Sequence, residues 1–477
     1  MDRRSFVAGT IALASTAAAP AILSSSSKAA AMLSTLPSKR PEPGKRKFVS
    51  PAVEERITQV KAKIHNPELA WLFENCYPNT LDTTVDFTVS DGEPDTFVIT
   101  GDIDAMWLRD STAQTTPYLS LVKQDPHLRE MFRGLMRRQA RCILLDPYAN
   151  AFYSTARLGE WKTDQTTMKP GVHERKWEVD SLCYPIRLAY LYWQQTGDRV
   201  PFTAEWSRAA HLIVATFRAE QRLTAPSPYH FARMTTAYMD NAPNAGQGNP
   251  SRKIGLIHSA FRPSDDSCFF PFLVPSNMFA RTSMDQLAML AREVLKDAAL
   301  EAEAKALSGD LSKALPQAIT EHPRYGKIYA YEIDGFGNRI WMDDANAPGL
   351  VSLAYLGCCD RADAVYQNTR NFAWSEDNPY FMRAKYAEGV GGPHTGPGTI
   401  WPLSIIFRVL TSTDPAEMKH CIEMLMRTTA ATGFMHESID PNDPKTFTRS
   451  WFAWCNSLFG EMIVTVAEQH PEVLAAV

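Results

Sequence analysis

Apolar residues recur at helical spacing in separate stretches along most of the chain, and this pattern constrains the fold more than any other feature of the sequence. The stretches Leu128–Ile143 and Leu182–Trp193 each place their apolar residues on one face of a helix. Capping residues at Ser283–Gln286 and Asp414–Glu417 open two further helices. A last helix fits Trp451–Glu468. The sequence therefore predicts a protein dominated by amphipathic helices.

Strand patterns are short and local. The alternating segment Val85–Val89 returns as Phe97–Ile99, and a second hairpin is predicted from Ile328–Tyr331 and Ile340–Trp341. The helices are joined by long polar connections that contain Gly and Pro, rather than alternating with strands. This layout argues against a parallel α/β sheet. It predicts an all-α toroid with small β-hairpins in its loops, and those long loops are where a functional site is expected.

The first 31 residues have the pattern of an export signal. Arg3 and Arg4 precede an Ala-rich apolar run, Val7–Leu23, and small residues follow it. This pattern predicts a twin-arginine signal peptide at residues 1–31, with a simple membrane anchor or a Sec signal as the alternatives. Residues 32–52 are predicted to be a linker, and residues 53–477 a single domain. The mature protein is expected to be a soluble bacterial monomer in the periplasm or exported.

The charge balance excludes some partners. The formal net charge is -4, which gives no electrostatic reason to expect binding to nucleic acid or to an anionic membrane. The cysteine and histidine spacings match no metal motif, so no metal or other cofactor is expected. No Gly-x-Ser-x-Gly elbow is present.

Five polar clusters lie at connections between the predicted helices. Any one of their acids could cap a helix, but three clusters have Trp beside the acid, and Arg109 and Arg262 lie close to their acids. Carboxylates beside an aromatic ring are typical of a site for a polar ligand with flat faces, such as a sugar. The clusters are Asp102–Asp110, Glu174–Ser181, Phe261–Asp266, Trp341–Asn346 and Met435–Ser438.

Two of these clusters contain acids suited to glycoside hydrolysis, which needs one protonated and one ionised carboxyl group. In the adjacent pair Asp265 and Asp266, each charge raises the pKa of the other, so either can be the acid. Glu437 is the candidate base. The Gly/Pro-rich loop Glu388–Gly398 lacks the lysine of a phosphate-binding loop, and we interpret it as a tight loop that brings His394 to the site.

Seven ordered motifs between about residue 50 and the C-terminus resemble glycoside hydrolase family 125, a family of exo-acting α-1,6-mannosidases. They are Thr100–Gln114, Lys176–Leu182, Phe261–Asp266, Met342–Asn346, Pro393–Gly398, Met435–Ser438, and Phe447–Arg449 with Trp451–Trp454. The resemblance implies an (α/α)6 barrel, inversion at the anomeric carbon, no metal requirement, and an α-mannoside oligosaccharide or glycan as the ligand.

The resemblance also implies residue roles. The acid lies in the segment of Asp265 and Asp266, with Asp266 favoured, and the base is Glu437. The Trp-x-Arg-Asp segment is also similar to one in glucoamylases, where the Arg-Asp pair binds hydroxyls of the terminal sugar, and that role falls to Arg109 and Asp110. The further predicted substrate-binding residues are Trp107, Asp102, Arg262, Asp343, Asn346, His394 and Arg449.

Two other functions remain open on the sequence. Another exo-glycosidase on the same toroid, such as an α-glucosidase, would differ in the contacts to a single hydroxyl. A non-catalytic periplasmic sugar-binding protein would keep Arg109 and Asp110 without needing Glu437.

Overall fold

Five helices and one 3₁₀ turn form a closed inner ring in the computed structural model, which describes residues 36–477. Each inner segment contacts the next along the chain, and the last contacts the first. Closure of this ring buries the first inner helix along its whole length. The inner segments are Leu108–Thr115, Val179–Thr196, Val274–Leu290, Val351–Leu353, Pro402–Leu410 and Ala453–Gln469.

Six outer helices surround this ring. Five of them follow an inner segment and run back along the outside, and the sixth, Pro67–Cys76, packs on the last inner helix from the start of the domain. The other five are Pro126–Leu145, Ala204–Glu220, Ala298–Ala314, Ala364–Ala373 and Pro415–Arg427. Two concentric layers of six segments make this an (α/α)6 barrel, as predicted from the sequence.

The remaining helical segments are short or lie outside the two layers. They are the α-helices Pro51–Lys61, Asn79–Thr83, Pro243–Gly246 and Pro471–Ala476, the 3₁₀ turns Pro43–Lys45, Thr116–Leu121, Tyr238–Asp240 and Leu315–Ala318, and the π-helical turn Ala291–Leu295. No helix within residues 36–477 is long and apolar enough to cross a membrane.

The strands form small antiparallel sheets in the loops. Four are hairpins: Val85–Ser90 with Glu93–Val98, Ile319–His322 with Gly326–Tyr329, Phe381–Arg383 with Glu388–Val390, and Ser438–Asp440 with Asp443–Thr448. Two have three strands: Met106–Trp107, Ala151–Phe152 and Val172–Glu174, and Phe272–Leu273, Glu332–Ile333 and Arg339–Ile340.

The first predicted hairpin is confirmed in register, with Val85 opposite Val98. The second was wrong in its pairing. Ile328 pairs with Thr320 across a tight turn closed by Gly326, whose φ is +70°, and Ile340 pairs with Glu332. The tight turn at Gly326 lets the strand Ile319–His322 pair with Gly326–Tyr329, which follows it directly. This local pairing takes the place of the predicted pairing with Ile340–Trp341.

The predicted signal peptide and residues 32–35 of the predicted linker lie outside the described residues. The described part of that linker contacts the domain. The Arg40 guanidinium donates to Asp82 at 2.8 Å and to Glu54, and the backbone N–H of Lys39 donates to Asn75 at 2.9 Å. The first helix begins at Pro51, and the Ser50 side chain caps it.

The outer helix Pro126–Leu145 approaches the first hairpin so closely that we expect Gly134→Ala to destabilise the protein. A methyl group at Gly134 would lie 2.5 Å from Thr96 Oγ1 and 2.9 Å from the Asp95 backbone. Overpacking of this kind lowers the free energy of unfolding by about 1–3 kcal/mol. Urea denaturation measures it.

Gly309 supplies the matched control, since it also lies in an outer helix, Ala298–Ala314, but has open space around it. Gly309→Ala should stabilise the protein by about 0.5–1 kcal/mol. An equal effect of the two substitutions would contradict the close approach at Gly134.

Candidate active site

The acids of the predicted clusters are not caps of the inner helices. Within the described part of the chain, all five inner helices begin without a side-chain cap, at Trp107, Glu178, Leu273, Trp401 and Phe452. The six outer helices are all capped by side chains, those of Asn66, Asp125, Thr203, Asp297, Asp363 and Asp414. The polar side chains that precede the inner helices are therefore free for another task.

Many of those side chains meet in one pocket at the N-terminal ends of the inner segments. The pocket is a small cavity of about 50 Å³ that opens to solvent. Eight of the predicted site residues line it: Trp107, Arg109, Asp110, Asp265, Asn346, His394, Glu437 and Arg449. They come from all three thirds of the chain, so the closed ring is what brings them together.

Arg109 is the most crowded charged group of the pocket. Its guanidinium lies 2.7 Å from Glu178, 3.0 Å from Asp180, 3.6 Å from Asp110 and 3.8 Å from Asp265. Burial raises the pKa of Asp110 to about 6 despite the neighbouring Arg109. A fixed guanidinium beside a pocket-lining carboxyl is a suitable pair for two hydroxyls of one sugar ring.

The two adjacent aspartates point to different places. Asp265 has a left-handed backbone, with φ of +65°, and its N–H donates to the Arg262 carbonyl at 3.0 Å in a tight turn. This turn directs the Asp265 carboxyl into the pocket. Asp266 is 4% exposed and lies outside the pocket lining.

The electrostatic surroundings of the two aspartates also differ. Burial alone would raise the pKa of Asp265, but Lys176 and Arg109 lower it to about 2. Asp266 lies 3.3 Å from His394 Nδ1. Burial opposes charge on His394, yet the contact with Asp266, with help from Asp265 and Glu437, raises the pKa of His394 to about 9. His394 is therefore a cation at neutral pH.

Glu437 lines the same pocket and is held on both oxygens. The Thr448 hydroxyl donates to Oε2 at 3.0 Å, and Arg449 donates to Oε1 at 3.4 Å. Arg449 is fixed in turn by the Thr100 carbonyl at 3.1 Å and by an ion pair with Asp102. The two strands Ser438–Asp440 and Asp443–Thr448 position this group.

Aromatic rings and unpaired polar atoms complete the pocket. Trp107, Trp401, Phe452 and Trp454 lie in its wall, and aromatic faces pack against the C–H faces of a sugar. Among the described residues, four lining side chains bury a polar atom without a hydrogen-bond partner: Thr100 Oγ1, Trp107 Nε1, Arg109 Nε and Arg449 Nε. Because buried polar atoms are normally paired, this wall suits a ligand rich in hydroxyls.

Four predicted site residues lie outside the lining. Asp266 is the buried partner of His394, and Asp102 holds Arg449. Arg262 binds Glu332 at 2.7 Å. The Asp343 carboxylate accepts the N–H groups of Leu350 and Val351 at the start of the inner 3₁₀ turn, and burial raises its pKa to about 7.

The sequence prediction did not assign pocket roles to Trp401, Phe452 or Trp454, although the last two belong to a motif used for the resemblance. Trp401 lies three residues after the Gly/Pro-rich loop Glu388–Gly398. Glu178 and Asp180 belong to a predicted cluster and to the motif Lys176–Leu182, but the sequence prediction gave them no individual role. The feature that could have identified them is that each is an acid at the start of a helix that it does not cap. Within residues 36–477, no group of three or more His, Cys, Asp or Glu side chains is arranged to hold a metal ion.

Comparisons with known proteins agree with this geometry. A family model described as "Metal-independent alpha-mannosidase (GH125)" matches residues 66–464. A solved Streptococcus pneumoniae protein of the metal-independent alpha mannosidases, in a non-productive substrate complex with α-1,6-mannobiose, is 40% identical. The match covers 89% of this chain and all of that chain, with a TM-score of 0.85.

One further relative and one protein of similar fold extend the comparison. The Meiotically up-regulated gene 157 protein of Schizosaccharomyces pombe is 40% identical over 459 residues, which are 92% of this chain and 90% of that protein. A GH78 family rhamnosidase of Bacillus sp. GL1 is 12% identical with a TM-score of 0.50, covering 83% of this chain and 34% of that chain. The rhamnosidase shares the fold alone.

Proposed function

The chain belongs to the metal-independent α-mannosidases of family GH125 and is a glycoside hydrolase, and on that premise we propose that it removes terminal, non-reducing α-1,6-linked mannose from glycans with inversion at the anomeric carbon. The observation that carries the proposal is the presence of two carboxyls, Asp265 and Glu437, in one pocket beside Arg109 and Asp110.

In the proposed reaction, Glu437 takes a proton from a water molecule, whose oxygen attacks the anomeric carbon. The glycosidic C–O bond breaks, its electron pair goes to the leaving oxygen, and that oxygen receives a proton from the acid. Inverting glycosidases use two carboxyls in this way. No step uses a metal ion or a cofactor.

We assign the acid to Asp265, although the sequence favoured Asp266. The reason is position, since an acid must reach the glycosidic oxygen and only Asp265 of the two lines the pocket. Asp266 faces the His394 cation instead, where it stabilises the charge on that ring.

Exo action follows from the charged groups in the wall. Arg109 and Asp110 are buried at the start of the inner helix Leu108–Thr115, where they would bind hydroxyls of a terminal sugar. A chain that continued past those hydroxyls would meet their buried charges. The α-1,6 linkage is supported by the complex of the Streptococcus pneumoniae relative with α-1,6-mannobiose.

We further propose that residues 1–31 export the enzyme through the twin-arginine route and that it acts as a monomer outside the cytoplasm. The support is Arg3 and Arg4 before the apolar run Val7–Leu23.

The test is an NMR time course of α-1,6-mannobiose with purified mature protein. Early β-mannose is the expected product, and early α-mannose would overturn the inverting assignment. Chromogenic α-mannoside and α-glucoside, compared in parallel, separate the α-glucosidase alternative. Binding of mannobiose without release of mannose would show that the protein binds sugar without hydrolysing it, and the proposal would be wrong.

A further inference from the structure

Four carboxyl groups surround one arginine at the base of the pocket. Asp110, Glu178, Asp180 and Asp265 all lie within 3.8 Å of the Arg109 guanidinium. Glu178 and Asp180 are fully buried. Four full negative charges around one positive charge in a buried site carry a large desolvation penalty. Protonation of one carboxyl relieves it.

The hydrogen-bond geometry identifies where the proton belongs. The side-chain amide nitrogen of Asn150 contacts three carboxyl oxygens: Glu174 Oε2 at 3.0 Å, Asp265 Oδ1 at 3.2 Å and Glu178 Oε1 at 3.5 Å. An amide nitrogen has only two hydrogens. Glu178 Oε1 is the most distant of the three, and it is the oxygen left without a good donor.

The other oxygen of Glu178 is fully engaged. Oε2 accepts from Arg109 at 2.7 Å and from the Ser181 hydroxyl at 2.8 Å. Oε1 is therefore free to carry a hydrogen. The carboxyl of Asp265 is its neighbour, since both carboxyls contact the Asn150 amide nitrogen and the Arg109 guanidinium. Burial, followed by the nearby carboxylates, raises the pKa of Glu178 despite the attraction of Arg109.

We propose that Glu178 and Asp265 share one proton at neutral pH, held on Glu178 Oε1 in the free enzyme and passed through Asp265 into the pocket. This inference rests on the proposed function. Glu178 lies outside the pocket lining, so it is a positioning residue that acts through Asp265. The pKa of Asp265 lies at about 2, so Asp265 alone would hold no proton at neutral pH. The proton held by Glu178 explains how Asp265 is able to supply one.

The proton balance is simple. Before the reaction, the pair holds one proton and one negative charge. When the C–O bond breaks, Asp265 gives that proton to the leaving oxygen, and both carboxyls become charged beside Arg109 and Lys176. The pair regains a proton from solvent through the open pocket, while Glu437 releases to solvent the proton it took from water.

Several other groups influence this pair. Arg109 and Lys176 favour the charged forms, while Asp180 and Asp110 oppose them. The remaining titratable neighbours are His173, Glu174, Cys268 and His394. The Lys176 ammonium also donates to the backbone carbonyl of Asp265 at 2.9 Å.

Glu178→Gln is the first test, because glutamine keeps the shape and the donor but has no proton to transfer. We expect kcat for α-1,6-mannobiose to fall about 100-fold, with KM little changed. The alkaline limb of the kcat profile should move to lower pH by about one unit or more. An activated aryl α-mannoside, which needs little protonation, should retain most of its rate.

Ser181→Ala tests the same pair and should shift the alkaline limb of the kcat profile in the opposite direction. The Ser181 hydroxyl favours the ionised form of Glu178, so its loss raises the pKa of the pair and should move the alkaline limb to higher pH. This variant keeps every carboxyl, and it remains informative if Glu178→Gln does not fold. Glu461→Gln, a carboxyl-to-amide change outside the pocket, is the control and should leave the profile unchanged.

The outcomes separate the two proposals. If the wild-type protein releases no mannose, the proposed function fails. If the wild-type protein is active but both variants keep its alkaline limb, the shared proton is overturned. Equal losses on mannobiose and on the activated mannoside, with the limb unmoved, would show that Glu178 has only a structural role.

Discussion

Glu437→Gln is expected to lower kcat for α-1,6-mannobiose by about 10²–10⁴-fold, because the amide cannot take a proton from the attacking water. KM should change little, since Gln keeps the contacts with Thr448 and one oxygen for Arg449. Initial rates measured over a range of pH by released mannose give both constants. An activated aryl mannoside should not restore the rate, because the loss lies in the attack of water rather than in the departure of the sugar.

Two controls make this result specific. Glu423→Gln on the outer helix Pro415–Arg427 should have wild-type kcat. Added azide, a small anionic nucleophile that needs no base, should restore turnover of the Glu437→Gln protein. If the Glu437→Gln protein keeps more than about a tenth of wild-type kcat, Glu437 is not the base.

Asp265→Asn and Asp266→Asn are expected to differ sharply in their dependence on the leaving group. Asp265→Asn should lose about 10²–10⁴-fold in kcat on mannobiose and little on a dinitrophenyl α-mannoside, because the latter leaves without a proton. Asp266→Asn removes the partner of His394 and should affect both substrates equally. The ratio of the two rates, measured for each variant, is the discriminating quantity.

The opposite pattern would return the acid to Asp266. In that case the buried carboxyl of Asp266 would have to reach the pocket through a rotation of its side chain. The pKa of His394 gives an independent test of which aspartate contacts that ring. Its pKa of about 9 should fall in Asp266→Asn, as followed by NMR, and change less in Asp265→Asn.

Much of the fold could be predicted because the outer helices carry strong local signals. Asp414 was predicted to open a helix, and it does cap the outer helix Pro415–Arg427. The helix start predicted at Ser283–Gln286 was wrong, because those residues lie inside the inner helix Val274–Leu290. The inner helices were harder, since several are buried on all sides. The helix Leu108–Thr115 is fully buried yet polar in composition, so its pattern has no apolar face to read.

The site was predicted as a set of residues, and its geometry was not. The sequence placed Asp265 and Asp266 side by side, but only the left-handed backbone at Asp265 decides which of them enters the pocket. Asp343 was predicted to bind a hydroxyl, whereas its carboxylate receives two backbone N–H groups. A single sequence does not reveal whether an acid faces a ligand or a backbone.

The closed ring has a consequence for how the enzyme is made. Chains leave the ribosome from the N-terminus and begin to fold in that order, and here Glu437, Arg449 and the helix Ala453–Gln469 emerge after the other inner segments of the barrel. That helix packs on Leu108–Thr115, and Arg449 reaches back to Thr100. A nascent or prematurely terminated chain that ends before Glu437 therefore lacks both the base and the helix that closes the barrel. Activity therefore requires that the chain be translated past the helix Ala453–Gln469.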